Sequence, residues 1–462
     1  MQYDAVIIGA GMSGLAAGIR LAYYNKRVCI VERHHTCGGL NSYYTFKSRL
    51  FDVGLHAITN YLPPGAGGRG PLKRILRQLR LSHEELDLRP QHGSEIRFPG
   101  RQLRFTNDID VLIQEVADRF PGQVDGFRRL VTDVKSREYA LSDTDRVSAR
   151  SVLRTYMSDD TLIEMLLCPI MYYGSAQEHE IDFGPFAVLF RSIFCEGFAR
   201  PAGGVRTILK ALVTKFRDLG GKLVLNCGAE RLEIERERVV GVVLETGENL
   251  TADMVISSAG FHETMGICSD SADRPSSLET GQLSFSESVS ILDVKPSELG
   301  IDTTIVFFND SDTFTYARPT SLVDLRSGVL CCPNNFEGSG HPDDGMLRLT
   351  TLANHKRWSE LSEQAYRRSK LEWADKAAER AIRFVPDFRD RVIARDVFTP
   401  RTIQKFTGHL NGAVYGAPHK IYDGRTRVEN LFICGTDQGF LGIIGAMLSG
   451  VMAANDHGLL QE

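Results

Sequence analysis

Six residues near the N-terminus, Gly9-Ala10-Gly11-Met12-Ser13-Gly14, have the GxGxxG spacing that cradles a dinucleotide. The chemistry asks for glycine at each of the three points. The first permits a tight turn, the second lets backbone approach a pyrophosphate, and the third lets a helix pack closely on the preceding strand. The start of that helix, at Met12 and Ser13, offers free N–H groups and a positive dipole end to phosphate oxygens. Many glycine-rich turns match this spacing, so its specificity comes from Glu32, about twenty residues on. A carboxylate there accepts hydrogen bonds from both ribose hydroxyls and disfavours a 2′-phosphate, which leaves FAD or NAD.

Other chemistries find little support. The nine cysteines include no CxxC pair and the twelve histidines no HExxH or HxH, so neither a metal site nor a disulfide framework is expected. Cys331-Cys332 reads as two small residues in or beside a strand. With 54 Lys+Arg against 58 Asp+Glu, the net charge of −4 lacks the basic footprint of a nucleic-acid protein, and none is expected as a partner. The 42% hydrophobic and 24% charged content is that of a globular chain, and 462 residues exceed one ordinary core.

The elements that must position the GxGxxG turn are a buried parallel strand at Tyr3 to Ile8, a helix from Ser13 to Asn25 and a second strand at Arg27 to Glu32. A second group follows between Pro201 and Gly260: a helix (Thr207 to Leu219) and strands at Lys222 to Leu225, Arg231 to Ile234, Val239 to Glu245 and Met254 to Ser257. A third closes the chain, with a strand at Leu431 to Cys434 and a small-residue helix at Ile444 to Ala454. The fold class is therefore α/β: a discontinuous Rossmann-type domain (residues 1–75, 198–268 and 425–462) with an inserted mixed α+β substrate domain (76–197 and 269–424). The first insert reads as helical and rich in Leu and Arg. The second carries strands at Ser288 to Val294 and Thr304 to Phe308, a loop at Asp273 to Glu279 and a charged helix around Ser359 to Phe384.

Further motifs carry a resemblance. Cys37-Gly38-Gly39-Leu40-Asn41-Ser42 supplies a second glycine pair, Arg200-Pro201-Ala202-Gly203-Gly204 a third glycine-rich turn, and Asn430 to Asp437 with Gly442 to Gly450 a glycine-rich close. In this order they resemble the flavin amine-oxidase and phytoene-desaturase superfamily. Asp52-Val53-Gly54-Leu55-His56 is most similar to its carotenoid isomerase and retinol saturase-like branch. Leu40 departs from the Arg that many amine-oxidase and bacterial phytoene-desaturase relatives carry after the glycine pair, which favours the polyene branch over an amine oxidase.

The resemblance implies non-covalent FAD. Beside Gly9, Gly11, Met12, Ser13, Gly14 and Glu32, it places Arg33, Gly39, Leu40, Asn41 and Gly54 along the cofactor, with Ala229 from the central strands. Gly435, Asp437, Ile444 and Gly445 join them from the C-terminal motif. His56 is the implied catalytic residue, as ring orienter or proton donor near neutral pH; His409, Tyr415 and His419 are weaker candidates for the substrate side. The implied reaction is flavin chemistry on C–C bonds of a long apolar polyene or isoprenoid, as desaturase, saturase or cis–trans isomerase, with the electron acceptor left open. Oxidation of amines or porphyrinogens is the alternative, and a catalytically idle FAD-binding scaffold a third reading.

A long substrate asks for an apolar tunnel. Phe183, Phe186, Phe190 and Phe194, at helical spacing, are its candidate walls, and Phe190→Asp is expected to abolish turnover with FAD still bound. No apolar run is long enough to span a bilayer and no secretory leader is evident, so the chain is expected in the cytoplasm. A polyene substrate adds reversible contact with the inner face of the cell membrane, through the Arg74/Arg77/Arg80 face and the Phe183 to Phe198 segment.

Overall fold

The computed structural model describes residues 2–65, 70–137, 146–269, 279–338 and 344–460. Five parallel strands form one sheet in the spatial order Lys222–Val224, Val28–Val31, Gln2–Ile8, Asn249–Ser257 and Leu431–Ile433. All three groups of chain expected to build the nucleotide domain thus meet in it. The central strands are buried on both faces, which is why they read as continuous apolar runs. A hairpin, Ala229–Glu235 and Arg238–Leu244, adds antiparallel to the start of Asn249–Ser257. Small residues bring the helices Met12–Tyr23 and Gly442–Ala454 together: a Cβ on Gly450 would stand 2.0 Å from the carbonyl oxygen of Ser13.

A second sheet of seven strands runs Val392–Phe398, Ser284–Leu292, Gly345–Ala353, Ser327–Cys331, Ile305–Asn309, Ser94–Phe98 and Arg101–Phe105. The first insert is therefore not wholly helical. Its hairpin Ser94–Phe98/Arg101–Phe105 pairs in parallel with Ile305–Asn309, so the two inserts share one sheet. The expected charged helix is Glu363–Ala381, and a short helix, His355–Ser359, precedes it. Ser362 caps the longer helix, its hydroxyl accepting from Ala365 N at 3.3 Å. The loop expected at Asp273 to Glu279 lies outside the described residues up to position 278.

The phenylalanine-rich segment does not line a tunnel. Helix Phe183–Phe190 continues into a wide turn at Arg191–Cys195, and Phe186, Phe190 and Phe194 are fully buried in the largest hydrophobic core. Phe190 packs edge-on to Phe127 and Phe194 edge-on to Phe105, so helical spacing delivers these rings to neighbouring helices and strands instead of a cavity. Phe183 is half-buried at the edge of the same core. The expectation for Phe190→Asp changes accordingly. An unpaired carboxylate in that core costs several kcal/mol, so this variant should accumulate as insoluble protein; soluble, yellow, inactive protein would restore the tunnel reading.

The helix Pro71–Leu79 buries Leu72, Ile75, Leu76 and Leu79 and leaves Lys73, Arg74, Arg77 and the following Arg80 in solvent. Among the described residues no helix is long and apolar enough to cross a membrane. All nine cysteines are free thiols; Cys331 and Cys332 are fully buried, and burial pushes the Cys331 thiol up to about 11.

Candidate functional site

The glycines of the first turn divide the work as their spacing requires. Gly9 has φ +93°, and a Cβ on it would lie 2.5 Å from Ser258 Oγ. A Cβ on Gly14 would lie 2.1 Å from the carbonyl oxygen of Gly9, which fixes how closely helix Met12–Tyr23 abuts the strand. Gly11 has an ordinary φ of −71°, and nothing lies within 4 Å of its Cβ position. It faces a cavity of about 400 Å³. Glu32 stands at the same cavity, its Oε2 accepting from Ala10 N at 2.8 Å and its Oε1 from His34 N at 2.9 Å. Those bonds fix the carboxylate and leave further lone pairs for a ribose.

Gly9, Gly11, Met12, Ser13, Glu32, Arg33, Gly39, Leu40, Asn41, Gly54, His56, Ala229 and Gly435 all line this one cavity. Gly14, Asp437, Ile444 and Gly445 stand behind its wall. Asp437 is occupied in holding loops, accepting from Phe261 N at 2.6 Å and Ala417 N at 2.8 Å. On the last helix Gly442, Ile443 and Ala446 face the cavity, and helical periodicity turns Ile444 and Gly445 away from it. Gly228 and Glu245 line it too, the Glu245 carboxylate accepting from Gly228 N at 2.9 Å. Sequence reasoning missed both.

At the other end His56 is presented by two motifs that lie 148 residues apart in sequence. Asp52 forms a buried ion pair with Arg200 and accepts from Val205 N at 3.1 Å, at the start of helix Val205–Asp218. Arg200 also donates to the carbonyl oxygens of Leu55 and His56, at 2.5 and 2.9 Å. Gly54, at φ +67°, makes the turn between them, where a Cβ would meet Leu40 O at 2.3 Å. Asp52 and Gly54 are thus the scaffold that aims His56.

His56 meets a cluster from the second sheet. Its Nε2 lies 3.0 Å from Glu287 Oε2 and 3.0 Å from Thr350 Oγ1. Glu287 and Thr350 are direct cross-strand partners on Ser284–Leu292 and Gly345–Ala353, and Arg348, two residues before Thr350, shares its face. Arg348 donates to Glu287 Oε1 through Nε (2.9 Å) and Nη2 (2.5 Å), and to Leu55 O at 2.7 Å. Burial alone would raise the Glu287 carboxyl, but the Arg348 guanidinium and His56 hold it well below the usual carboxylate range. Burial lowers the His56 pKa despite Glu287 beside it. The sequence signal for Glu287 was faint: one acid in an otherwise apolar and serine strand.

Tyr172, Tyr173, Phe285, Val329, Val414 and Tyr415 wall this end. Tyr172 stacks on Phe285 (5.9 Å, 19°), and the Tyr415 hydroxyl donates to Tyr172 O. Of the histidine candidates, His409 lines the cavity, 3.6 Å from Glu263, while His419 lies off it beside Arg146. The residues fit a dinucleotide cofactor: Gly11 leaves a recess that any side chain would fill. The buried Tyr173 hydroxyl, which has no hydrogen-bond partner among the described residues, marks a place where a bound group is met.

Comparisons with known proteins identify a family and a fold. A family model described as flavin containing amine oxidoreductase matches residues 12–456. Prolycopene isomerase 2 of an Oncidium hybrid cultivar is 24% identical over 498 residues, covering 98% of this chain and 83% of that one. All-trans-retinol 13,14-reductase of Danio rerio is 23% identical over 524 residues, covering 96% and 84%. The crystal structure of an oxidoreductase from Methanosarcina mazei superposes with a TM-score of 0.69 at 17% identity, covering 99% of this chain and all of that one, and shares the fold.

Proposed function

We propose, because this chain belongs to the flavin-containing amine oxidoreductase family, that its substrate is a long apolar polyene or isoprenoid whose C–C bonds it desaturates, saturates or isomerises. The chain is an FAD-dependent oxidoreductase. Bound FAD supplies the two-electron hydride acceptor or donor. Gly11 with Met12 and Ser13 takes the pyrophosphate, Glu32 the ribose, and Arg33 and Ala229 border the adenosine. Gly39, Leu40, Asn41 and Gly54 follow the cofactor toward His56, with Gly435 beside Ser13.

One observation carries the choice of a neutral substrate. The acids at the His56 end, Asp52 and Glu287, are each already neutralised by a buried arginine, Arg200 and Arg348. Neither remains to receive an alkylammonium, whereas Tyr172, Phe285, Val329 and Val414 offer apolar contact. The isomerase and reductase relatives act, by their names, on such molecules.

The test is to incubate flavin-loaded protein with detergent-dispersed polyenes and separate the products chromatographically. His56→Ala should keep its flavin and its KM while kcat falls about 10²- to 10⁴-fold, the usual worth of a positioned acid or base. Oxygen consumption with polyamines, and none with polyenes, would replace this reading by the amine one.

Contact with a bilayer belongs to the same proposal, since an apolar substrate partitions there. The exposed Lys73, Arg74, Arg77 and Arg80 face supports it. Co-sedimentation with anionic vesicles that weakens with salt is the expected result, and no binding at low salt would remove it.

A further inference from the structure

His56 has two ring nitrogens, and among the described residues only Nε2 has hydrogen-bond partners. Glu287 accepts two N–H bonds from Arg348 at Oε1 and the Thr350 hydroxyl at Oε2 (2.8 Å), so it is ionised and can only accept. Thr350 has committed its only proton to that carboxylate, so its oxygen can only accept as well. Both groups stand 3.0 Å from His56 Nε2. Nε2 must therefore carry the hydrogen.

Charge counting settles the other nitrogen. The charges that act most on the ring are those of Glu287, Arg348 and Arg200, with Arg348 paired to Glu287 and Arg200 to Asp52, and the nearby Cys331 thiol is protonated. Their charges cancel, and an imidazolium would add an unbalanced cation beside two guanidiniums. The ring is neutral, and Nδ1 holds a lone pair with no hydrogen-bond partner among the described residues, on a side chain that lines the cavity.

We propose that Glu287 is a positioning residue that holds His56 as its neutral Nε2–H tautomer, so that Nδ1 is the resting site's proton acceptor. This rests on the C–C oxidoreductase reading and gives it a direction: in the resting state the site is set to dehydrogenate. In the oxidation of a CH–CH unit to C=C, bound oxidised flavin would take the hydride that leaves one carbon. The neighbouring carbon loses a proton to Nδ1, and the electrons of that C–H bond become the new π bond. The imidazolium so formed keeps its Nε2–H donated to the ionised Glu287, which holds the ring in place until the proton is passed on.

The experiment has two arms. In ¹⁵N-histidine-labelled protein, with and without flavin, the His56 signals are identified by their loss in His56→Asn. They should show a protonated Nε2 and a bare Nδ1 at neutral pH. An Nδ1–H tautomer, or an imidazolium at pH 7, overturns the proposal, and this arm needs neither substrate nor a variant at position 287.

In the second arm Glu287→Gln removes the anion that favours the imidazolium. The acid limb of kcat/KM should move about one pH unit lower, kcat should fall at least tenfold and KM should hold, with Glu287→Asp recovering part of the loss. A limb that stays in place while folded protein merely declines overturns the positioning role. If the tautomer is found yet no polyene is turned over, the substrate reading fails and the tautomer assignment stands.

Discussion

A valine at position 11 should give a folded but colourless protein. Position 11 has an ordinary φ of −71° and open space around its Cβ, so the fold carries the side chain without strain. That open space is where backbone must approach the pyrophosphate, and a branched side chain there removes one or two charge-assisted hydrogen bonds. At about 1.5–3 kcal/mol each, the loss is roughly 100-fold in FAD affinity. Gly14→Val is the contrasting control, because its Cβ would sit 2.1 Å from Gly9 O and drive the helix off the sheet. It should yield little soluble protein at all. Absorbance of the released flavin and circular dichroism on both variants check this; a yellow Gly11→Val protein would remove the turn from the cofactor site.

Asp52→Ala should be the most damaging single change outside the core. Arg200 and Asp52 are both buried, with side-chain exposures of 3% and 7%, and removing the acid leaves a guanidinium uncompensated. Breaking a buried pair from one side costs about 3–5 kcal/mol. The same change frees Val205 N and loosens the grip of Arg200 on the Leu55 and His56 carbonyls. The urea midpoint should fall sharply, and turnover should fall further than flavin content. Arg200→Met added to Asp52→Ala should recover part of the midpoint, since two apolar groups need no partner. A midpoint unchanged in the single variant would mean that another anion balances Arg200.

The dinucleotide end was legible in the chain because its logic is local. One turn, one helix and one carboxylate within about twenty-five residues state a requirement that only a strand–helix–strand unit meets, and in the structure Gly9 makes the turn, Gly14 lets the helix abut it, and Gly11 and Glu32 face one cavity. The C-terminal motif was legible as a motif but not residue by residue. Whether Gly442 or Ile444 faces the cavity depends on the rotation of a helix that is apolar on nearly every side. The phenylalanines of Phe183–Phe190 show the same limit: helical spacing defines an apolar face, and an apolar face serves a core as well as a tunnel.

The His56 end belongs to the tertiary structure. The chain by itself determined that His56 follows a glycine turn, that a dinucleotide cofactor is called for and that three separated groups of elements build one parallel sheet, because each follows from short-range spacing and strand chemistry. Only the folded molecule decided what His56 can do. Its partner Glu287 is 231 residues away and Thr350 is 294 away, and they meet it because two antiparallel strands of the second sheet are in the register that sets Glu287 opposite Thr350. A shift of one residue in that register would turn the carboxylate to the opposite face. Register, burial and the balance of four buried charges are properties of the assembled sheet, and no window of sequence contains them.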